Sequence, residues 1–365
     1  MKESSATEVT GKEPGRPVKV LGIDLAKNIF SLHGVDERGN VVLKRRVSRE
    51  KLTELVATLP PCLIGLEACS GAHHFARVFA ASGHTVRPMA AQFVSPYRQS
   101  GKNDGNDAQA ICEAVARPHM RFVPVKTPEQ QGQLVLHRTR SGFVEERTAT
   151  INRARGLAAE FGIVLPQSAE KLCRLLPPRL AAETDALPVL AKQALSDLLA
   201  HLRVLDARIL DYDRQIAALI KNDARAERLR AVTGIGPLTA SAALATVGDA
   251  MAFRNGRQFA AFLGLTPRQH STGGRTVLGR ITKRGDAYLR TLLVHGARSA
   301  LQTAHRRHDR LSRWMVATEQ RIGYHKTLVA IANKHARILW ALLAKGTAFD
   351  INRFGERPKQ QNTPA

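Results

Sequence analysis

Aromatic side chains are scarce in this 365-residue chain: Phe, Trp and Tyr make up 5% of it, with only two Trp and four Tyr. So few rings argue against an extended base-stacking platform and for contact with the backbone of a structured duplex or RNA. Cysteine is scarcer still. Cys62, Cys69, Cys112 and Cys173 form no C-x-x-C pair and have no histidine at ligand spacing. That pattern speaks against structural zinc and a disulfide framework, and it fits a reducing cytoplasm. Long apolar runs are missing as well. The longest uncharged stretch, 231–248, contains Gly234, Gly236, Pro237, Ser241 and three Thr, too polar and interrupted for a membrane helix. Residues 1–17 lack an apolar core, which predicts no secretory signal. The last shortage is acid: 31 Asp+Glu against 55 Lys+Arg, a net charge of +24. Such an excess repels itself in the compact state and attracts polyanions, nucleic acid first and an anionic membrane surface second.

The remaining composition is enough for a real core: 44% of residues are hydrophobic, and the length predicts two or three domains of about 100–200 residues. Residues 1–17 and 349–365 read as flexible tails. Short apolar runs bounded by turn residues predict strands over 18–25, 29–35, 41–47, 62–67 and 84–89, with helices over 49–58, 72–81 and 107–116. A three-stranded meander followed by alternating helices and strands predicts an α/β domain with a mixed sheet over 18–128. Residues 129–228 read as helical. Their first part is rich in arginine (Arg138, Arg140, Arg147, Arg153, Arg155), and Pro166, Pro177 and Pro178 punctuate the middle. Leu195, Leu198, Leu202, Leu205, Ile209, Tyr212, Ile216 and Leu219 then alternate spacings of three and four. That 3.5-residue period predicts a coiled coil, between subunits or in a helical hairpin; a long amphipathic helix packed in its own domain carries the same stripe. Arg208 and Asp213 fall at g and e positions, where they would pair across a parallel dimer. Residues 229–348 read as a mainly helical domain with Gly-rich breaks. Between positions 268 and 337 there are 15 Lys+Arg against 3 acids, a net +12, so half of the excess charge lies in that segment.

Four motifs carry candidate chemistry. Asp24 ends an apolar first strand and Glu67 ends another, and a carboxylate there is costly to bury without a cation or a donor. Neighbouring strands lie about 4.8 Å apart, so the two could share a divalent ion; Asp24 could instead cap its turn. Asp104 and Asp107, three apart at a helix start, share one face, though an acid at N-cap and another at N3 is also an ordinary helix start. Together the four acids look like a Mg²⁺ site of the kind that clamps a phosphodiester. Gly234 and Gly236 sit between helical runs, either as a helix-hairpin-helix that holds phosphate on backbone N–H groups or as a plain packing turn. Finally, a Ser271-Thr272-Gly273-Gly274 turn is ringed by Arg268, Arg275, Arg280, Lys283 and Arg284, which suit phosphate. The serine hydroxyl is either one more phosphate donor or a nucleophile.

In order, GIDLAK (22–27), GLEACSG (65–71), KNDGNDA (102–108), GIGPLTA (234–240) and LGLTPRQHSTGGRTVLGRITKRGDAYLR (263–290) resemble the DEDD insertion-sequence transposases. These are the bridge-RNA-guided recombinases of the insertion-sequence one-ten and eleven-eleven groups, relatives of the Piv pilin invertases. The resemblance runs from about Val18 to about Lys345. It implies a RuvC-like, ribonuclease-H-type first domain with Asp24, Glu67, Asp104 and Asp107 as catalytic metal ligands for Mg²⁺, and a helical coiled-coil arm that makes a dimer or tetramer. It also implies a C-terminal transposase domain with Ser271 as nucleophile, Thr272 being the adjacent alternative. The serine would attack a DNA phosphate, and the acids of a partner subunit would complete the site. A non-coding bridge RNA would pair with donor and target DNA, so that base pairing reads the sequence. The expected setting is the bacterial cytoplasm, near the nucleoid, with no membrane. Two other readings compete. One is an actin-like or sugar-kinase phosphotransferase, whose first strand also ends in a Gly-x-Asp turn. The other is a non-catalytic nucleic-acid-binding relative.

Overall fold

The structure, a computed structural model, describes residues 16–99, 101, 103–182 and 187–351. Lys102 and the outer parts of both expected tails, 1–15 and 352–365, lie outside the described residues. The chain divides into two compact units, Met1–Thr127 and Pro128–Ala365.

The first unit begins as a meander of β1 (Val20–Asp24), β2 (Ile29–Val35) and β3 (Val41–Ser48). The turn between the last two is tied by Asp36, whose Oδ1 accepts from the backbone N–H groups of Arg38 and Asn40, both at 2.9 Å. Then come α1 (Arg49–Ala57), β4 (Leu63–Glu67), α2 (Ala72–Ala81), β5 (Thr85–Met89), a short α3 (Ala91–Val94) running into a 3₁₀ turn at Ser95–Tyr97, and α4 (Asp104–Val115). The sheet order is β3-β2-β1-β4-β5. β1 and β2 pair antiparallel, as do β2 and β3, whereas β1–β4 and β4–β5 are parallel. Strand alternation gives the sheet two faces. Leu21, Ile23, Ile64 and Leu66 pack with Leu52 and Val56 of α1 and Phe75 and Phe79 of α2. On the opposite face the register partners Gly22 and Gly65 let α4 lie almost on the backbone: a Cβ on Gly22 would stand 2.2 Å from the Ala108 carbonyl oxygen, and one on Gly65 2.8 Å from Val115 Cβ.

The second unit holds α5 (Pro128–Ala159), α6 (Ala169–Ala181), α7 (Val189–Leu219), α8 (Ala224–Arg230), α9 (Pro237–Val247), α10 (Gly256–Phe262), a two-stranded ribbon of β6 (Pro267–Gln269) and β7 (Leu278–Ile281), then α11 (Ala287–Ala304), α12 (Arg310–Ile322) and α13 (Tyr324–Lys345). α8–α13 enclose the larger core around Phe259, Leu289, Leu293, Ile331 and Leu339. A second cluster joins Ile151 and Ala154 of α5, Leu172 and Leu176 of α6, and Leu195, Leu199 and Leu202 of α7.

Three expectations take definite form here. The heptad seam of α7 is covered within the chain: Leu195, Leu202, Leu205 and Ile216 are buried along an antiparallel contact with α5. Arg140–Asp213 and Arg147–Asp206 fix that register. Asp213 is thereby paired within its own chain, and Arg208 lies over Phe143, 5.6 Å from the ring centroid. Pro177 and Pro178 lie inside α6 rather than ending it. The carbonyls that lose their donors belong to Cys173 and Arg174, both exposed to water. The C-terminal region is not purely helical, since β6 and β7 form a ribbon exposed along almost its whole length.

Candidate active site

The four acids of the first unit come to one place. Asp24 ends β1 and Glu67 ends the neighbouring parallel strand β4, while Asp104 and Asp107 stand in the first turn of α4. All four line one cavity of about 510 Å³, together with Gln92 and Ser95 from the segment after β5 and with Arg98. The turn of α4 is not capped by an acid. Asn103 is the cap, its Oδ1 accepting from the Asn106 N–H at 2.8 Å, so both aspartates keep their carboxylates for the cavity. This removes the helix-capping alternative for Asp104 and Asp107.

The electrostatics of the cavity are those of acids crowded together. Burial pushes the Asp24 carboxyl up to about 6, Asp107, Asp104 and Glu67 push it the same way, and Arg98 opposes them. Arg98 Nε donates to Asp107 Oδ1 at 2.5 Å, and Arg46 Nη2 reaches Asp104 Oδ2 at 3.5 Å. The same negative field, after burial, raises the Cys69 thiol. An all-oxygen carboxylate set suits a hard divalent cation. Among the described residues, however, no three His, Cys, Asp or Glu side chains are gathered closely enough to hold an ion. The donor chemistry fits such a cation while the spacing in this arrangement does not, and arginines supply the countercharge instead. Arg98 and Arg46 escaped the sequence reading, because a lone arginine after a proline turn and another on an edge strand carry no pattern.

Ser271 lies in the ribbon of the second unit, exposed. The chain reverses at Gly273 and Gly274, with φ of +53° and +76°, and Thr272 and Arg275 exchange backbone hydrogen bonds of 3.3 and 3.0 Å. Two left-handed residues between paired ones are the hairpin turn that only glycine adopts freely. Gln269 Nε2 donates to Ser271 Oγ at 2.8 Å, and no other hydrogen-bond partner holds that hydroxyl among the described residues. Arg268, Arg275, Arg280, Lys283 and Arg284 are all exposed around it. Lys283 is the one non-glycine residue among those described with positive φ, +55°. Its N–H donates to the Gly264 carbonyl at 3.1 Å, and the Arg290 guanidinium bridges the carbonyls of Leu263 and Arg284 at 2.9 and 3.1 Å. The base of the ribbon is thus pinned while its tip stands free.

The other basic candidates divide. Arg140 is committed to Asp213 through two hydrogen bonds of 2.6 and 3.1 Å, and Arg147 to Asp206. Arg155 turns to Asn152 at 2.8 Å and to the Pro166 carbonyl. Arg140 and Arg147 join α5 to α7 and Arg155 ties α5 to the loop that follows it, while Arg138 and Arg153 remain exposed. Gly234 is a packing residue: its φ is +89°, and a Cβ there would stand 2.3 Å from the Gly296 carbonyl oxygen of α11. Gly236, with open space around it, precedes Pro237 at the first turn of α9. No helix among the described residues is long and apolar enough to cross a membrane.

Comparison with known proteins agrees with both halves. A family model described as "Transposase IS116/IS110/IS902 family" matches residues 226–312, and the DEDD transposase model of IS110 elements matches residues 21–162. The chain is 49% identical over 330 residues to a "Probable family 20 transposase" of Pseudomonas aeruginosa, covering 90% of this chain and 98% of that protein. It is 43% identical to the "Transposase for insertion sequence element IS1111A" of Coxiella burnetii, over 90% of this chain and 91% of that one. With the transposase of element IS1328 from Yersinia enterocolitica it shares 40% identity over 91% and 98%. The chain belongs to the IS110/IS116/IS902 family of DEDD transposases.

Proposed function

We propose that this chain is the transposase of an insertion sequence and cuts and rejoins DNA with Asp24, Glu67, Asp104 and Asp107 as ligands of Mg²⁺ and Ser271 as nucleophile. The convergence of four carboxylates on one cavity at the ends of β1 and β4 and the start of α4 carries this reading. The sheet order, an antiparallel meander continued by two parallel strands, supports a ribonuclease-H-type frame. A divalent ion held by those acids would polarise a phosphodiester and stabilise the charge that develops on its oxygens. The residues of the chain do the rest. Gln269 donates to Ser271 Oγ and so leaves the hydroxyl proton free to depart. As the serine oxygen bonds to phosphorus it gives its proton to solvent, and the bond to one deoxyribose oxygen breaks while that oxygen takes up a proton from solvent. The exposed guanidinium groups of Arg268, Arg275 and Arg280 are placed to hold the crowded phosphate. The +12 over residues 268–337 supports binding of DNA together with a bridge RNA from the element; the dimer or tetramer rests on the family resemblance, since the α7 seam is buried against α5 of the same chain.

Two substitutions test the chemistry. Asp24→Asn and Ser271→Ala should each abolish strand transfer from a plasmid carrying the element ends while nucleic-acid binding persists. Denaturing a stalled reaction should leave a DNA–protein adduct whose peptide carries the modification at Ser271. An adduct at Thr272 would move the nucleophile by one position, and full strand transfer by Ser271→Ala would overturn the assignment. Sequencing RNA that copurifies with the protein from its host should yield transcripts of DNA flanking the gene; without them the guided reading fails.

A further inference from the structure

Outside the acidic cavity and the ribbon, the second unit has a cleft of about 480 Å³ between the start of α10 and the face of α13, a volume in the range of small-ligand sites. Its lining includes Asn255, Arg257, Lys334, Arg337, Ile338 and Trp340. No carboxylate pairs with Arg257 or Arg337 among the described residues. Lys334 Nζ sits 5.1 Å from the ring centroid of Trp314, and burial and then Arg337 pull its ammonium below the ordinary lysine value. Two guanidinium groups without a carboxylate at one concavity leave it open to an anion. Trp340 is fixed by its own Nε1, which donates to the Ala250 carbonyl at 2.9 Å. Gly256 brings α10 so close to α13 that a Cβ would stand 2.9 Å from the Arg337 carbonyl oxygen. A chain with two tryptophans in 365 residues has thus put one in the wall of this cleft and the other under the lysine that lines it.

We propose that this cleft binds one unpaired nucleotide of a nucleic-acid strand, its phosphate between Arg257 and Arg337 and its base against Trp340. The proposal rests on the nucleic-acid function argued above and adds to it a site separate from the Ser271 ribbon. A duplex presents its bases already stacked, whereas a single strand can give one to a concave site, where an aromatic face accepts any base.

The same two tryptophans make the site readable, because the ribbon contains none. The full chain is titrated with fluorescein-labelled 12-mers of oligo(dT) and oligo(rU) and with a duplex of equal length, following anisotropy and tryptophan emission together. Single strands should quench the emission as they bind, and the duplex should bind without quenching. Arg257→Ala and Arg337→Ala should each weaken single-strand binding about 3- to 10-fold and lower the slope of log K against log salt by about 0.7, one lost phosphate contact. Arg337→Lys should retain most of the affinity, and unchanged melting temperatures would show that the fold is intact. The difference between oligo(dT) and oligo(rU) tells which sugar the cleft accepts. Single-strand binding by anisotropy with unaltered emission, equal quenching by the duplex, or alanine variants that bind and quench like the parent would each overturn the nucleotide pocket and leave the transposase reading standing. Absence of any nucleic-acid binding would remove both.

Discussion

Replacing Gly22 by alanine should damage the acidic cavity without touching an acid. Gly22 lies in β1, two residues before Asp24, beneath the helix that carries Asp104 and Asp107. A methyl group there would stand 2.2 Å from the Ala108 carbonyl oxygen, 2.4 Å from the Cys112 nitrogen and 2.8 Å from Cys112 Cβ, where ordinary contact is 3.4–4 Å. The two nearest atoms are backbone and cannot rotate away, so α4 must rise from the sheet. Overpacking of this kind costs about 1–3 kcal/mol. A displacement of about 1 Å at reacting groups can lower a rate on the order of 100-fold, and Asp104 and Asp107 would move relative to Asp24 by that order. Gly65, the register partner of Gly22 on β4, is the internal control. Its added Cβ would meet only side-chain atoms of Val115 and Ile111, at 2.8–3.0 Å. Gly65→Ala should therefore be milder, and trimming Val115 to Ala, which removes the Cγ1 contact but keeps the Cβ at 2.8 Å, should rescue it in part, whereas no side-chain change at Cys112 should rescue Gly22→Ala. Thermal unfolding and strand cleavage on a plasmid bearing the element ends measure both consequences. Parental melting and cleavage in Gly22→Ala, or greater damage from Gly65→Ala, would falsify the account of how α4 is seated.

Two buried histidines make stability depend on pH. His137 and His335 are both pushed down to about 4, first of all by burial. The unfolded chain takes up their protons as pH falls through about 6.5 and the folded chain does not, so stability should drop between about pH 6.5 and 4, by up to about 3 kcal/mol for each ring. Neither His335 nitrogen has a partner among the described residues, so His335→Leu should flatten that slope in denaturant unfolding and hold or raise stability at pH 7. His137→Leu should destabilise at pH 7, because it orphans Ser241 Oγ and the Tyr288 hydroxyl, each 3.0 Å from the ring; equal behaviour of the two variants would refute the distinction. For the α5–α7 hairpin, a double-mutant cycle on Arg140 and Asp213 should give a coupling of about 1 kcal/mol in unfolding. A coupling near zero, with nucleic-acid affinity falling for Arg140→Ala, would return Arg140 to the phosphate ligands.

The features legible in the sequence were those that a short stretch determines by itself. β2 and α2 occupy the residues their patterns predict, and Asp24 and Glu67 stand at strand ends because an apolar run followed by a carboxylate marks one locally. The placement of those two acids on neighbouring parallel strands agrees with the alternation of helices and strands that predicted a mixed sheet. Partnership across long separations was not legible. A 3.5-residue period says that α7 must bury a seam, but it does not say against what. α5 offers a buried face of Leu134, His137, Thr150, Ile151, Ala154 and Ala158, too polar and too small-sided to announce itself as the other half of a hairpin. Its arginines therefore read as free charge, when Arg140 and Arg147 are spent 73 and 59 residues away on Asp213 and Asp206. The ribbon around Ser271 escaped for the opposite reason. Strands of three and four residues with no buried residue on either face have no inside to alternate with, and only Gly273 and Gly274 betray the turn. A net charge of +24 is in this respect a poor guide to function until each cation's partner is known. The arginines of α5 that hold α7 already cancel against Asp213 and Asp206 within it, whereas those of the ribbon and of the α10–α13 cleft, like Arg138 and Arg153, have no carboxylate against them among the described residues and belong to the excess.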